Sequence, residues 1–124
     1  ELLRRDSIRK AVMELSILEA YSIIELFKEY IVKDPDMVAY GLNDVEYAVR
    51  SNAVDKMVVS SNLLRSMDDN VRFKTFNILD EAYKRGAKII ILPRDTDITS
   101  EVEGFGGIIA ILRFKLFRFN QPGL

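Results

Sequence analysis

Three stretches carry residues whose type and spacing bear on chemistry. The first is "GFGG" (Gly104, Phe105, Gly106, Gly107), set directly against the apolar run "IIAIL" (108–112). Glycine-rich loops cradle phosphates when a strand runs through them into a helix, whose N-terminus then faces the anion. Here the order is a helical pattern, then glycines, then a strand, with no G-x-G-x-x-G spacing and no Lys-Ser/Thr behind it. That order predicts a helix C-cap and a close turn into a buried strand, with Gly104 left-handed. Phe105 has two readings, a plug in the core or a side chain displayed to a partner. The second stretch, "RDTDITSEVE" (94–103), brings Asp95, Asp97, Glu101 and Glu103 close in sequence, as a divalent-cation site would. Their spacing matches no calcium loop. A helix capped by Asp97, with acids where the dipole favours them, is the simpler reading. "MDDN" (67–70) reads the same way. The third stretch, "LRFKLFRF" (112–119), alternates basic and aromatic residues, as a single-stranded nucleic-acid face does. It holds only three cations in an otherwise acidic chain. The pattern therefore predicts Arg113 and Lys115 as charged guards on the solvent side of an edge strand, with Phe114 and Leu116 turned inward.

Absent residue types narrow the chemistry further. The chain of 124 residues has no His and no Cys. Cys/His zinc sites, cysteine nucleophiles and Ser-His-Asp triads are excluded together. Ser60 and Ser61 close a buried strand, but no His activates them and no G-x-S-x-G surrounds them. The residues thus describe a binding or docking domain and not an enzyme. Without cysteine there is no disulfide to argue for, and a reducing, cytoplasmic setting is expected. Lys and Arg total 18 against 19 acids, for a net charge of −1, which excludes a protein that coats nucleic acid through bulk charge. No apolar run approaches the ~20 residues of a membrane span, and no signal peptide is visible. The chain opens at Glu1 inside a helical pattern, which reads as a fragment of a longer protein.

The elements that would position these residues follow from periodicity. Residues 2–33 read as helix, with Ile8, Val12 and Leu15 on one face and Ile24, Phe27 and Ile31 on another. The two stripes are out of register across Ser16–Glu19, which predicts a bend or two helices meeting there and excludes a coiled coil. Pro35 ends the segment. "MVAYG" (37–41) reads as a short strand. "LNDVEYAV" (42–49) reads as a helix with Asn43 as N-cap, Glu46 completing a capping box, Leu42 stapled to Tyr47 and Asn52 left-handed behind it. "DKMVVSS" (55–61) reads as a strand, and 67–86 as a helix with Phe76, Leu79 and Tyr83 buried and Gly86 at its C-cap. A strand at 87–93, a short helix at 97–104 and a strand at 108–117 complete the pass. Two strands are apolar on both faces, at 58–59 and 89–92. The expected fold class is α/β, a three-layer α/β/α sandwich with a mixed sheet of about four strands.

Several stretches together resemble one family. "AYGLNDVEYAVRSNAVDKMVVSSNLLR" (39–65) is similar to the start of the third domain of Pelota proteins and class-1 translation release factors, where a strand ending in Tyr-Gly or Phe-Gly is followed by a helix and a second strand. "RGAKIIILP" (85–93) fits the next helix–strand junction, and "GFGGIIAILRF" (104–114) resembles the "GFGGI…ILRY" signature. The resemblance covers roughly residues 38–117. It implies two parts: a helical segment at 1–34, the end of a central domain and a joining helix, and the third domain at 35–124. Release factors usually insert a long segment after the second strand. Here "LLRSMDDNVRFKTF" passes straight into a helix, which points to Pelota, and the compactness to an archaeal source.

The resemblance carries functional expectations. Such a parent rescues stalled ribosomes in mRNA surveillance (no-go decay). It lacks the Gly-Gln motif of peptide release, as does this chain. It reaches the ribosome with an elongation factor 1-alpha-type GTPase, and an ABC-type recycling ATPase then helps to split the subunits. The third domain is the docking part, with Gly104, Phe105, Gly106 and Gly107 as candidate partner-binding residues. No cofactor is implied for this domain; a divalent metal belongs to a nuclease activity suggested for another domain of the family. The fold is shared with ribosomal kink-turn-binding proteins, whose G-x-N-E stretch meets RNA. Gly41, Leu42, Asn43 and Asp44 echo it, with Asp for Glu and no preceding Lys. Gly41, Asn43 and Asp44 are therefore the candidate RNA contacts of the alternative reading, and a metal-dependent endonuclease is a remote third.

Overall fold

Continuous apolar strands are stable only where both faces of a sheet are covered. The structure, a computed structural model, describes residues 2–117, with side chains from residue 16 onward, and contains such a sheet. Ile8, Val12 and Leu15, like residues 118–124, lie outside the described side chains. The elements run α1 (Leu2–Lys33), a 3-10 turn (Pro35–Met37), β1 (Val38–Tyr40), α2 (Leu42–Arg50), β2 (Val54–Ser60), α3 (Ser61–Leu64), α4 (Asp69–Lys84), β3 (Lys88–Leu92), α5 (Asp97–Gly104) and β4 (Ile108–Leu112). The four strands lie in the order β1-β4-β2-β3. β2 and β3 are parallel, and β4 is antiparallel to both β1 and β2. Val58 thus lies beside Ile90 on one side and Ile109 on the other.

The two-residue period of the strands fills both faces. Ala39, Met57, Val59, Ile108 and Ala110 face one way, against Val45, Ala48 and Val49 of α2 and Ile78 and Ala82 of α4. Val38, Val58, Ile90, Leu92, Ile109 and Ile111 face the other, against Ala20, Ile23, Ile24 and Phe27 of α1 and Ile98 and Val102 of α5. This is the expected three-layer sandwich with its mixed four-stranded sheet. Among the described residues no helix is long and apolar enough to cross a membrane.

Several local expectations are corrected. Two helices do not meet near Ser16–Glu19: α1 is one continuous helix through it, with no Pro or Gly, and an unbroken backbone ladder does not require one continuous apolar stripe. In α4 the buried positions are Thr75, Ile78 and Ala82, while Phe76 and Tyr83 are 52% and 76% exposed. Small residues let α4 approach the sheet, which moves the large aromatics to its outer flank. The buried Thr75 hydroxyl donates to the Val71 carbonyl at 2.7 Å, so its burial leaves no orphan. The short helix α3 is additional, capped by Ser60 Oγ accepting the Asn62 N–H. Asp68 caps α4, in line with the reading of "MDDN".

The basic-aromatic stretch differs most. β4 ends at Leu112 and lies inside the sheet, so Arg113 and Lys115 guard no edge. Arg113 Nε instead donates to Val54 O at 2.8 Å and its Nη2 to Arg85 O at 2.7 Å, joining the start of β2 to the end of α4. Lys115 pairs with Asp34 at 3.3 Å. Leu116 is buried as expected, but Phe114 is half exposed. Hydrogen bonds from a charged donor to otherwise unmet carbonyls contribute ~1.5–3 kcal/mol, whereas an exposed ion pair contributes under ~1 kcal/mol. Arg113→Met therefore lowers the unfolding free energy in urea by about 2 kcal/mol, and Lys115→Met by less than about 0.5 kcal/mol.

Candidate docking site at the glycine-rich end of the sheet

Three parallel strands, β1, β2 and β3, finish at the same end of the sheet, and β4 begins there because it runs the other way. The loops after Tyr40, Ser60 and Leu92 therefore gather with the "GFGG" loop, at the end where open α/β sheets bind their ligands. Two candidate groups that are far apart in sequence meet here. A Cβ on Gly106 would stand 3.1 Å from the Gly41 Cα, and the Gly41 N–H donates to Ile108 O at 3.0 Å.

The glycines have distinct jobs. α5 runs through Gly104, which is not left-handed; Phe105 is the C-cap, with φ −102°. The left-handed residues are Gly106 (φ 99°) and Gly107 (φ 90°). The Gly106 N–H donates to Glu103 O and the Gly107 N–H to Val102 O, both at 3.0 Å, which makes a Schellman turn. The predicted C-cap chemistry is present, with the left-handed residue two positions later than expected, because Gly104 still belongs to the helix and Phe105 takes the C-cap position. A Cβ on Gly107 would lie 3.0 Å from Leu63 Cγ, so this glycine admits a neighbour's side chain. Gly41 and Gly104 face open space.

Aromatic rings flank the loop. The Phe105 ring packs edge-on against Phe27 (4.9 Å between centroids) and Tyr40 (5.7 Å). Phe105 is half buried and Tyr40 is 49% exposed. Phe105 thus packs one edge on Phe27 of α1 and another on Tyr40, and is neither fully enclosed in the core nor fully exposed.

The residues of the RNA reading are committed elsewhere. Gly41, with φ 85°, occupies the N-cap position of α2 expected for Asn43, and it supplies no side-chain cap. Asn43 lies inside the helix and accepts from Lys74 of α4 through Oδ1. Lys74 also pairs with Glu46 at 3.7 Å, which replaces the expected capping box. Asp44 Oδ2 accepts the Tyr40 N–H at 3.3 Å. The acids of "RDTDITSEVE" also diverge. Thr96, not Asp97, caps α5, because the threonine oxygen accepts the Thr99 N–H at 3.1 Å. Asp95 is left-handed, with φ 63°. Glu101 pairs with Lys28 at 3.0 Å, and that hydrogen bond holds the lysine above its ordinary pKa. Glu103 accepts from Ser60 Oγ at 2.9 Å and from the Asn62 side chain. Among the described residues no group of three or more potential metal ligands converges. Sequence reasoning missed Tyr40 and the Ser60–Asn62–Glu103 contact; the latter joins residues about forty apart, and its only trace is a buried strand that ends in Ser-Ser-Asn.

Residues 17–116 match the family model of eRF1 domain 3. The chain belongs to the eRF1 domain 3 family. It is 57% identical over 116 residues to a protein pelota homolog of Staphylothermus marinus, covering 94% of this chain and 33% of that protein. It thus spans about a third of the length of the curated relatives it matches. Among solved structures, Archaeoglobus fulgidus Pelota superimposes with a TM-score of 0.74 at 29% identity, over 95% of this chain and 36% of that one. An archaeal Pelota described as ribosome-bound with ABCE1 gives a TM-score of 0.76 at 25% identity, over 88% of this chain and 29% of that one. The eRF1 domain 3 signature read in the sequence is therefore the Schellman turn at the end of α5 together with the strand behind it.

The geometry assigns opposite effects to two neighbouring glycines. Gly106→Ala combines a left-handed φ with a Cβ pressed on backbone and costs about 2–3 kcal/mol. Gly104→Ala, in open space at a helix end, is neutral or stabilising by up to about 1 kcal/mol. Chemical denaturation of the two variants measures both.

Proposed function

We propose that this chain is the protein-docking domain of a ribosome-rescue factor. In this reading Tyr40, Gly41, Gly104 and Phe105 form the surface that receives a translational GTPase of the elongation factor 1-alpha type. Gly106 and Gly107 form the turn behind it and hold its shape. An ABC-type recycling ATPase and the ribosome are the further partners, and the domain itself carries no catalytic step. The observation that carries the reading is the exposed Tyr40 ring and the half-buried Phe105 ring beside two glycines with open space at their Cα, in a member of the eRF1 domain 3 family. Aromatic side chains at the centre of a contact supply much of its energy, and glycine lets a partner backbone come close. The archaeal Pelota described as ribosome-bound with ABCE1 supports the ribosome and the ATPase as partners.

A kink-turn RNA is the competing ligand. Asn43 and Asp44, which would read it, already hold Lys74 and the Tyr40 N–H. A calorimetric titration of the chain against the GTPase loaded with a non-hydrolysable GTP analogue tests the proposal, with a kink-turn RNA in a parallel cell. Heat is expected with the GTPase, and Phe105→Ala and Tyr40→Ala each weaken binding by about tenfold or more. Heat with RNA alone, falling steeply with salt, would replace docking by RNA recognition. Silence in both cells would sink direct docking by this domain.

A further inference from the structure

Glu103 is an acid in the last turn of α5, where the helix dipole disfavours negative charge. Its carboxylate oxygen Oε2 accepts two hydrogen bonds from one short segment, from the Ser60 hydroxyl and the Asn62 side-chain amide. Ser60 is fully buried, and both its N–H and its hydroxyl are engaged. Its N–H donates to Gly107 O at 2.8 Å, and its hydroxyl accepts the Asn62 N–H at 3.2 Å while donating to Glu103. Leu63, one turn further on, lies against Gly107. Ser60 and the α3 it caps are therefore fastened to the Schellman turn at three points: a backbone bond from Ser60, an apolar contact from Leu63 and the Glu103 bridge. That turn in turn sets Gly106 on Gly41 and Phe105 on Tyr40 and Phe27.

We infer that Glu103 is the positioning residue of the docking surface, a bridge from α3 that fixes the posture of Phe105 and Gly106 without itself being the group a partner recognises. The inference deepens the docking proposal and rests on it for its binding consequence, but not for its structural one. Both hydrogen bonds converge on a single oxygen, so the conservative variant is informative: the amide oxygen of Glu103→Gln accepts both, whereas Glu103→Ala accepts neither.

The test is amide hydrogen exchange and amide chemical shifts of the chain, read at Gly106 and Gly107 with Gly86 as a remote reference, followed by titration with the loaded GTPase. In Glu103→Ala, exchange at Gly106 and Gly107 rises by about tenfold or more with Gly86 unmoved, and GTPase affinity falls by about tenfold. In Glu103→Gln both return to within about threefold of the parent chain. Unchanged Gly106 and Gly107 signals in Glu103→Ala would overturn the positioning role. Parent-like exchange in Glu103→Gln with affinity as low as in Glu103→Ala would overturn it too, and would make the charge itself the recognised group. If the parent chain binds no GTPase, the docking proposal fails, and the exchange data alone still decide the role of Glu103.

Discussion

Three helices of this fold must each reverse into a strand across three residues, and the sheet depends on how they do it. α2, α4 and α5 end in the same Schellman turn, with a left-handed residue, Asn52, Gly86 and Gly106, followed by a small one, Ala53, Ala87 and Gly107. In each case the small residue donates its N–H five positions back, to Ala48, Ala82 or Val102. The bond satisfies an orphan carbonyl of the helix and aims the chain straight into the next strand. Strand register, and with it the alternation that fills both faces of the sheet, follows from these three turns. Two of them lie where β2 and β3 begin. The third lies at the opposite end, because β4 runs antiparallel to its neighbours. A single reversed strand thus carries a common structural turn to the end of the sheet where loops converge.

That placement explains why glycine is repeated in "GFGG" and not in the other two turns. At Asn52 only the backbone angle is demanding, and asparagine tolerates it. At Gly106 the backbone angle is equally demanding, and a second backbone, that of Gly41, also crowds the space a Cβ would take. At Gly107 the Leu63 side chain fills the space a Cβ would take. Each glycine answers a separate contact, and none of these contacts requires an anion.

The fold was legible because its signals were local. Apolar runs at 58–59 and 89–92, a Pro that ends α1, and the left-handed residues Asn52 and Gly86 are each read from a few neighbouring residues, and each appears where expected. Errors arose where a second element decided the outcome. Phe76 and Tyr83 are apolar enough to be buried, but α4 packs beside α2 on the sheet through Thr75, Ile78 and Ala82, which the periodicity of one helix does not reveal. Arg113 looked like an edge guard because strand order cannot be read from one strand, and its two carbonyl partners come from residues 54 and 85. Gly104 and Gly106 are equivalent to a pattern search; only the length of α5 tells them apart. For the candidate site, the sequence displayed the glycines and Phe105, but not that Gly41 lies against them.

The aromatic contact around Phe105 ties the candidate site to α1. Phe27 touches both Tyr40 and Phe105, and it is fully buried, so neither ring can shift far while Phe27 stays in place. Phe27 sits on a helix of 32 residues, about 48 Å long at 1.5 Å per residue, whose contacts reach all four strands. A rod of that length magnifies a small tilt: a rotation that barely moves Phe27 carries the far end of the helix several times further. The coupling runs in both directions, since energy that fixes Tyr40 and Phe105 also fixes the angle of the helix that supports them. A surface of one exposed ring, one half-buried ring and two open glycines is small for a stable contact by itself. Its connection to a long, continuous helix gives it a structural consequence beyond its own area.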